Sequence, residues 1–163
     1  MKTVLLPGSY DPVTKGHFAV LSFAARQFDA VRAVIFVNPD KDCLFPLSDR
    51  LAFLRLAAAR FPNVTVDADQ GLVADYVKRH GIDLIVKGVR DERDYLYEAK
   101  MVDWNAAHGA ETLLLPASPA LKNVSSTTLR ERLAKGESID DLAAPGTADA
   151  IRSAYGKLRV DEK

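Results

Sequence analysis

Apolar residues fall along this chain in short, nearly continuous runs, separated by longer stretches in which they recur at helical spacing. The runs are "KTVLL" (2–6), "AVRAVIFV" (30–37), "VTVD" (64–67), "DLIVK" (83–87) and "ETLLLP" (111–116). Their length and their β-branched or leucine-rich make-up predict strands. The lack of polar alternation suits parallel strands covered on both faces. Between them, "SDRLAFLRLAAARF" (48–61) places Leu51, Leu54, Ala58 and Phe61 on one face, with Ser48 as its expected N-cap. "LVADYVKRHG" ends in Lys78, Arg79 and His80 before Gly81, a helix stop, and "RDYLYEAKMVDWNAAHG" ends the same way at Gly109. A helical tail runs from "SSTTLRERLAKG" through "ADAIRSAYGKL". The alternation predicts an α/β fold: a single doubly wound, Rossmann-like domain over residues 1–163, with a five-stranded parallel sheet and a helical C-terminal tail.

Composition narrows the classes. Of 163 residues, 48% are apolar and 27% charged, which suits a globular core and excludes a disordered chain. The 22 basic residues balance 22 acidic ones. No general field is left for gripping nucleic acid, so any anion site must come from local clustering. The opening apolar run stops at Pro7, and no uninterrupted run approaches the roughly 20 residues of a membrane span. Cys43 is the only cysteine, so no internal disulfide can form, and a cytoplasmic location is expected.

Candidate chemistry gathers at the predicted strand ends, where open α/β sheets bind their ligands. Gly8, Ser9 and Tyr10 follow the first strand, Lys41 the second, Lys87, Gly88 and Arg90 the fourth, and "KNVSSTT" (122–128) the fifth. Cations, small residues and hydroxyls in these positions describe a phosphate-binding mouth. The first loop, "PGSYDPVTKGH" (7–17), is the most informative. Gly8 lets backbone approach a ligand, Ser9 can donate to a phosphate, and Pro12 stiffens the turn. Gly16 and His17 then open a helix whose free N–H groups favour anions. Plainer readings stand beside these: Lys41 as a solvated lysine in "PDKD", Arg90 paired with Asp91 or Asp94, Glu98 on a solvated face, and Ser125 as a helix cap. His80 and His108 read as structural groups at helix ends.

"GSYDPVTKGH" resembles the signature loop of the nucleotidyltransferases that carry a (His/Thr)-x-Gly-His motif. Thr14-Lys15-Gly16-His17 is the TxGH form, similar to that of the bacterial phosphopantetheine adenylyltransferases. "NPDKDCLFPLSDRLAFL" resembles a second family segment, with Lys41 and, in the following helix, Arg50. "IVKGVRDERDYLYEAKMVDWN" is similar to a third, with Gly88, Arg90, Asp94, Tyr97, Glu98 and Asn105 at matching positions. "VSSTTLRERL" resembles the fourth.

The resemblance implies adenylyl transfer from ATP to 4'-phosphopantetheine. It implies that His17, Lys41 and Arg90 are catalytic and that Ser9, Lys41, Val73 and Lys87 bind the acceptor. ATP would meet Ser9, Tyr10, His17, Gly88, Val89, Arg90, Glu98 and the stretch Leu121, Lys122, Asn123, Val124, Ser125, Ser126 and Thr127. Tyr10 would contribute backbone and ring, and Ser125, Ser126 and Thr127 their hydroxyls and amides. Mg2+ is expected on the triphosphate, without a dedicated cage of protein ligands. A homohexamer and feedback by coenzyme A are further implications, and no nucleic-acid or membrane partner is expected. Lys87 stands where the family usually has arginine, which leaves open another phosphate acceptor or CTP. A catalytically silent nucleotide-binding protein is the remaining alternative. The stretch "PASPALKNVSS" departs furthest from the family pattern.

Overall fold

In the computed structural model, which describes residues 1–162, the strands and helices alternate as the apolar pattern predicts. They are β1 (Thr3–Gly8), α1 (Lys15–Gln27), β2 (Ala30–Phe36), α2 (Leu47–Ala58), β3 (Val64–Asp69), α3 (Val73–His80), β4 (Leu84–Val89), α4 (Glu92–Ala107), β5 (Thr112–Pro116), α5 (Ser126–Lys135) and α6 (Ala148–Asp161), with a 3-10 turn at Pro119–Leu121. All pairings are parallel, in the order β3-β2-β1-β4-β5. Alternate residues of the strands feed two cores. Val4, Leu6, Ala33, Ile35 and Val86 pack with α1, α2, α5 and α6, whereas Leu5, Val34 and Ile85 pack with Tyr76 and Val77 of α3.

The order reverses between β1 and β4, and that is where the sheet opens. Their ladder joins only Val4 to Leu84 and Leu5 to Ile85. Beyond it each central strand pairs with its outer neighbour alone, β1 with β2 as far as Gly8–Ile35 and β4 with β5 as far as Val89–Pro116. A crevice at a topological switch point results.

Four sequence expectations need correction. Pro7 does not end β1, because pairing with β2 carries the strand through Gly8. Likewise Lys87 and Gly88 lie within β4 rather than after it, and only Arg90 of the expected three follows it. Ser48 does not cap α2: the helix starts at Leu47 behind Pro46, which makes no side-chain cap bond. The tail, finally, is not simply helical. Residues 137–147 between α5 and α6 are irregular, yet Ile139, Leu142, Ala143, Ala144 and Thr147 are buried. This segment hooks over the start of α1, where the Lys15 N–H donates to the Leu142 carbonyl at 2.8 Å and Thr14 bridges Ala143. Among the described residues no helix is long and apolar enough to cross a membrane.

Candidate active site

The first loop is shaped by Tyr10, whose φ of 48° lies in the left-handed region that side chains rarely adopt. That turn folds the ring back beneath Gly8, where a Cβ would come within 3.0 Å of it. The phenol donates to the Leu6 carbonyl at 2.9 Å, and the ring centroid lies 4.8 Å from that of His17. Burial raises the phenol's pKa well above its ordinary value. Tyr10 is thus a floor beneath the histidine. The expectation that its ring meets ATP is corrected: Tyr10 is buried, its ring packed between Gly8 and His17.

His17 is fixed by its own helix start. Thr14 is the N-cap of α1, and its side chain accepts from the His17 N–H. In return His17 Nδ1 accepts from the Thr14 N–H at 2.9 Å and lies 3.1 Å from Thr14 Oγ1. This is a capping box with histidine in the place usually held by Glu or Gln. Since the backbone N–H can only donate, Nδ1 carries the lone pair and the ring proton sits on Nε2. Burial, and secondarily the positive charge of Arg90, push the pKa of His17 down to about 4. The imidazole is therefore neutral at physiological pH and has one N–H to offer. The expected anion site at the α1 N-terminus is largely used up. Lys15 donates to Leu142 and His17 to Thr14, leaving the Gly16 amide as the first-turn donor without a protein partner among the described residues.

The second loop, residues 37–46, comes to the first. Lys41 Nζ donates to Ser9 Oγ at 3.0 Å, so two expected site residues from different strand ends do meet. Sequence reasoning missed what holds the loops together. The buried Asp11 carboxylate accepts from the Leu44 and Phe45 N–H groups at 2.8 and 2.9 Å. The buried Arg50 guanidinium donates to the Phe45 and Ser9 carbonyls, each at 3.0 Å. One signal was available: Arg50 stands on the same face as Phe53, Leu54 and Ala57, and a cation on an apolar stripe needs a buried partner.

On the other side of the crevice, β4 supplies Lys87 and Gly88. Lys87 Nζ lies 2.9 Å from Glu98 Oε2 on α4, so Lys87 is paired rather than free, and Glu98 faces a lysine. Arg90 pairs with Asp94 at 2.8 Å, the plainer of its two sequence readings, while Asp91 instead caps α4. The Val89 side chain is buried and its carbonyl accepts from Ala117. Gly88 is required by packing, because a Cβ there would lie 2.9 Å from Val20 Cγ2 of α1. Val73, at the start of α3, packs against the smaller core.

The last loop also departs from expectation. The Ser125 hydroxyl caps α5, accepting from the Thr128 N–H at 3.1 Å, and the Ser126 hydroxyl donates to the Pro12 carbonyl at 2.8 Å. Thr127 Oγ1 accepts from Arg130, whose other arm donates to the Asp11 carbonyl at 2.7 Å. The Ser125 and Ser126 hydroxyls thus donate within the protein, whereas Thr127 Oγ1 only accepts, so what α5 leaves for an anion is the Thr127 O–H and the amides of Ser126 and Thr127. Val124 is buried and Leu121 packs on the core, while Lys122 and Asn123 are exposed. His80 stacks on Tyr76 and His108 on Trp104, both outside the crevice. Among the described residues, no group of three or more His, Cys, Asp or Glu side chains could hold a metal ion.

A parallel sheet opened at its switch point, with a buried histidine and cations at several strand ends, is an architecture suited to a phosphorylated ligand. Residues 5–132 match the cytidylyltransferase-like family. Over 153 residues, 93% of this chain and 96% of its own length, a phosphopantetheine adenylyltransferase of Corynebacterium diphtheriae is 40% identical. The chain belongs to this cytidylyltransferase-like family and, within it, to the phosphopantetheine adenylyltransferases. Two solved structures share the fold. The Plasmodium falciparum nicotinic acid mononucleotide adenylyltransferase complexed with NaAD superposes with a TM-score of 0.68 at 16% identity, covering 96% of this chain and 98% of that one. The lipopolysaccharide core biosynthesis protein from Thermoplasma volcanium superposes at 0.52 and 21% identity, covering 72% and 97% respectively.

Proposed function

We propose that this chain transfers the adenylyl group of ATP to the phosphate of 4'-phosphopantetheine, giving dephospho-coenzyme A and pyrophosphate. The observation that carries the reading is the state of His17, whose Nδ1 is occupied by the Thr14 N–H at 2.9 Å and whose pKa is near 4. Such a ring is a poor base at neutral pH and a good neutral donor. The reaction asks for that. An oxygen of the acceptor phosphate forms the new bond to the α-phosphorus, and the bond from that phosphorus to the bridging oxygen breaks. Its electron pair leaves with pyrophosphate. The nucleophile is already an anion, so no proton need be removed, and the protein's task is alignment and charge stabilisation.

In this reading His17 Nε2–H donates to an oxygen of the α-phosphate. Ser9 and Lys41, already hydrogen-bonded, receive the acceptor phosphate. Arg90 exchanges Asp94 for the phosphates of ATP, and Lys87 turns from Glu98 toward the acceptor. Gly88 and Val89 offer backbone, the Ser126 and Thr127 amides and residues 121–125 border the adenosine, and Val73 lines the pantetheine arm. Mg2+ would ride on the triphosphate and offset its charge, held by phosphate oxygens and water, since among the described residues no group of three or more His, Cys, Asp or Glu side chains could hold a metal ion. Coenzyme A, which contains the same pantetheine arm, would compete for the acceptor site as a feedback inhibitor. A hexamer is proposed on the exposed apolar side chains of α4, and a cytoplasmic location goes with ATP as substrate.

A second reading, transfer to another phosphate acceptor or from CTP, is favoured by one observation: Lys87 is a point charge already neutralised by Glu98. Pyrophosphate release from ATP and Mg2+, with and without 4'-phosphopantetheine and with CTP run beside it, separates the two. Release that requires both ATP and that acceptor is expected. Release with CTP alone, or with ATP and a different phosphate only, would overturn the first reading.

A further inference from the structure

Arg50 presents a physical puzzle. It is 6% exposed, and among the described residues no carboxylate lies within ion-pair distance of it. A buried guanidinium without an anion is costly unless its donors are well used. They are used on backbone: Nε on the Phe45 carbonyl and Nη1 on the Ser9 carbonyl. Asp11, 5% exposed, makes the complementary contacts, its carboxylate accepting from the amides of Leu44 and Phe45, although unlike Arg50 it also has a counter-ion, the Arg130 guanidinium at 3.8 Å. A cation from the second segment thus grips the first loop, and an anion from the first loop grips the second. Phe45 is held from both ends, its N–H by Asp11 and its C=O by Arg50.

We propose that Arg50, with Asp11, is a positioning residue that sets the distance between Ser9 and Lys41 and so builds the acceptor-phosphate site. Ser9 is bound through its carbonyl by Arg50, and its hydroxyl takes the Lys41 ammonium at 3.0 Å. Lys41 is exposed and lies on the very loop whose far end the clasp fixes at Leu44 and Phe45. Without the clasp the long, flexible lysine would lose its fixed partner across the crevice, and two chain segments would have to be ordered by the substrate itself. The bidentate fork is essential to this task, because lysine in its place keeps the charge but can reach only one of the two carbonyls.

The inference rests on the adenylyl-transfer reading for the identity of the acceptor, and its test separates the two. Steady-state kinetics of the full chain and of Arg50→Lys and Asp11→Asn, varying 4'-phosphopantetheine and ATP in turn, is the first arm. Either variant is expected to raise the KM for the acceptor roughly tenfold or more, the size of one lost charge-assisted hydrogen bond, with the KM for ATP near its wild-type value. A residue that merely supports the fold would lower the active fraction, and so kcat, and leave both KM values alone; that result overturns the proposal. Asp11→Asn changes one atom at the opposite end of the clasp and keeps the test alive if Arg50→Lys does not fold. The second arm needs no substrate: amide hydrogen exchange at residues 41–45 should be faster in each variant. Unchanged exchange overturns the clasp whatever the acceptor is, whereas wild-type chain that releases no pyrophosphate overturns only the reading of the reaction.

Discussion

A histidine that caps its own helix cannot act as an ordinary titrating imidazole. The Thr14 N–H fixes the tautomer, Tyr10 lies under the ring, and burial keeps it neutral. Replacing it with alanine should leave ATP binding intact and lower turnover by about 10²–10³, as expected for one transition-state donor. Equal turnover in the two proteins would remove His17 from the reaction. The same residue couples folding to pH. Its folded pKa of about 4 lies below the ordinary 6.5, so the native state binds fewer protons than the unfolded chain between those values. Its contribution to stability is complete above pH 6.5 and is lost as the pH falls through 4. Urea midpoints measured from pH 7 down to pH 4.5 should therefore fall less steeply in His17→Asn than in the parent chain; identical slopes would mean that the imidazole titrates normally. At this scale the sequence was readable where candidates lie in short motifs: Lys41 does meet Ser9, and His17 does open α1. It was not readable where a partner lies far along the chain. Ser126 finds Pro12 across 114 positions, and no local pattern announces that its hydroxyl is already engaged.

Elements place these residues by how closely they approach one another. Near-continuous apolar runs made the parallel sheet legible, because a strand covered on both faces has no polar side to show. Strand ends were less legible, since pairing rather than composition decides them: β1 runs past Pro7 because β2 continues beside it. Residues 137–147 were hidden for a similar reason, as their burial comes from the shape of the α1 start and not from any period of their own. At Gly88, α1 and β4 approach each other closely. A Cβ on Gly88 would sit 2.9 Å from Val20, a β-branched side chain with little freedom to move aside. Gly88→Ala should cost about 1–3 kcal/mol, as overpacking does, and should lower turnover as well, because α1 carries His17. In a Val20→Ala background the same change should cost clearly less. Equal costs in both backgrounds, read from denaturant midpoints, would show that the helix yields without strain.

The molecule as a whole is lopsided in what it buries. The helices on the α1 side share a large core, while α4 lies over β4 and the edge strand β5 with only Asn105 buried. Tyr95, Leu96, Tyr97, Met101 and Trp104 on this helix are between 39% and 69% exposed, and Leu113 of β5 is exposed with them. Scattered apolar residues on a surface need no explanation, but a cluster of this size on one element marks a surface that meets another. The balance of 22 basic and 22 acidic residues adds no net repulsion to keep copies apart. If the proposed hexamer forms through α4, a charge at its centre should dissolve it. Met101→Glu, one helical turn from Glu98, should sediment as a smaller species than the parent chain while keeping its far-UV circular dichroism. A parent chain that sediments as a monomer would remove the hexamer altogether, and a variant with undiminished mass would move the interface off this helix. Assembly through α4 would also bear on the site: Glu98, which holds Lys87, is on the same helix, so covering its outer face would steady the pair that Lys87 leaves in the proposed reaction. The Met101→Glu chain is therefore expected to show an altered acceptor KM together with its changed mass, and an unaltered KM in a fully dissociated variant would confine the role of the interface to stability.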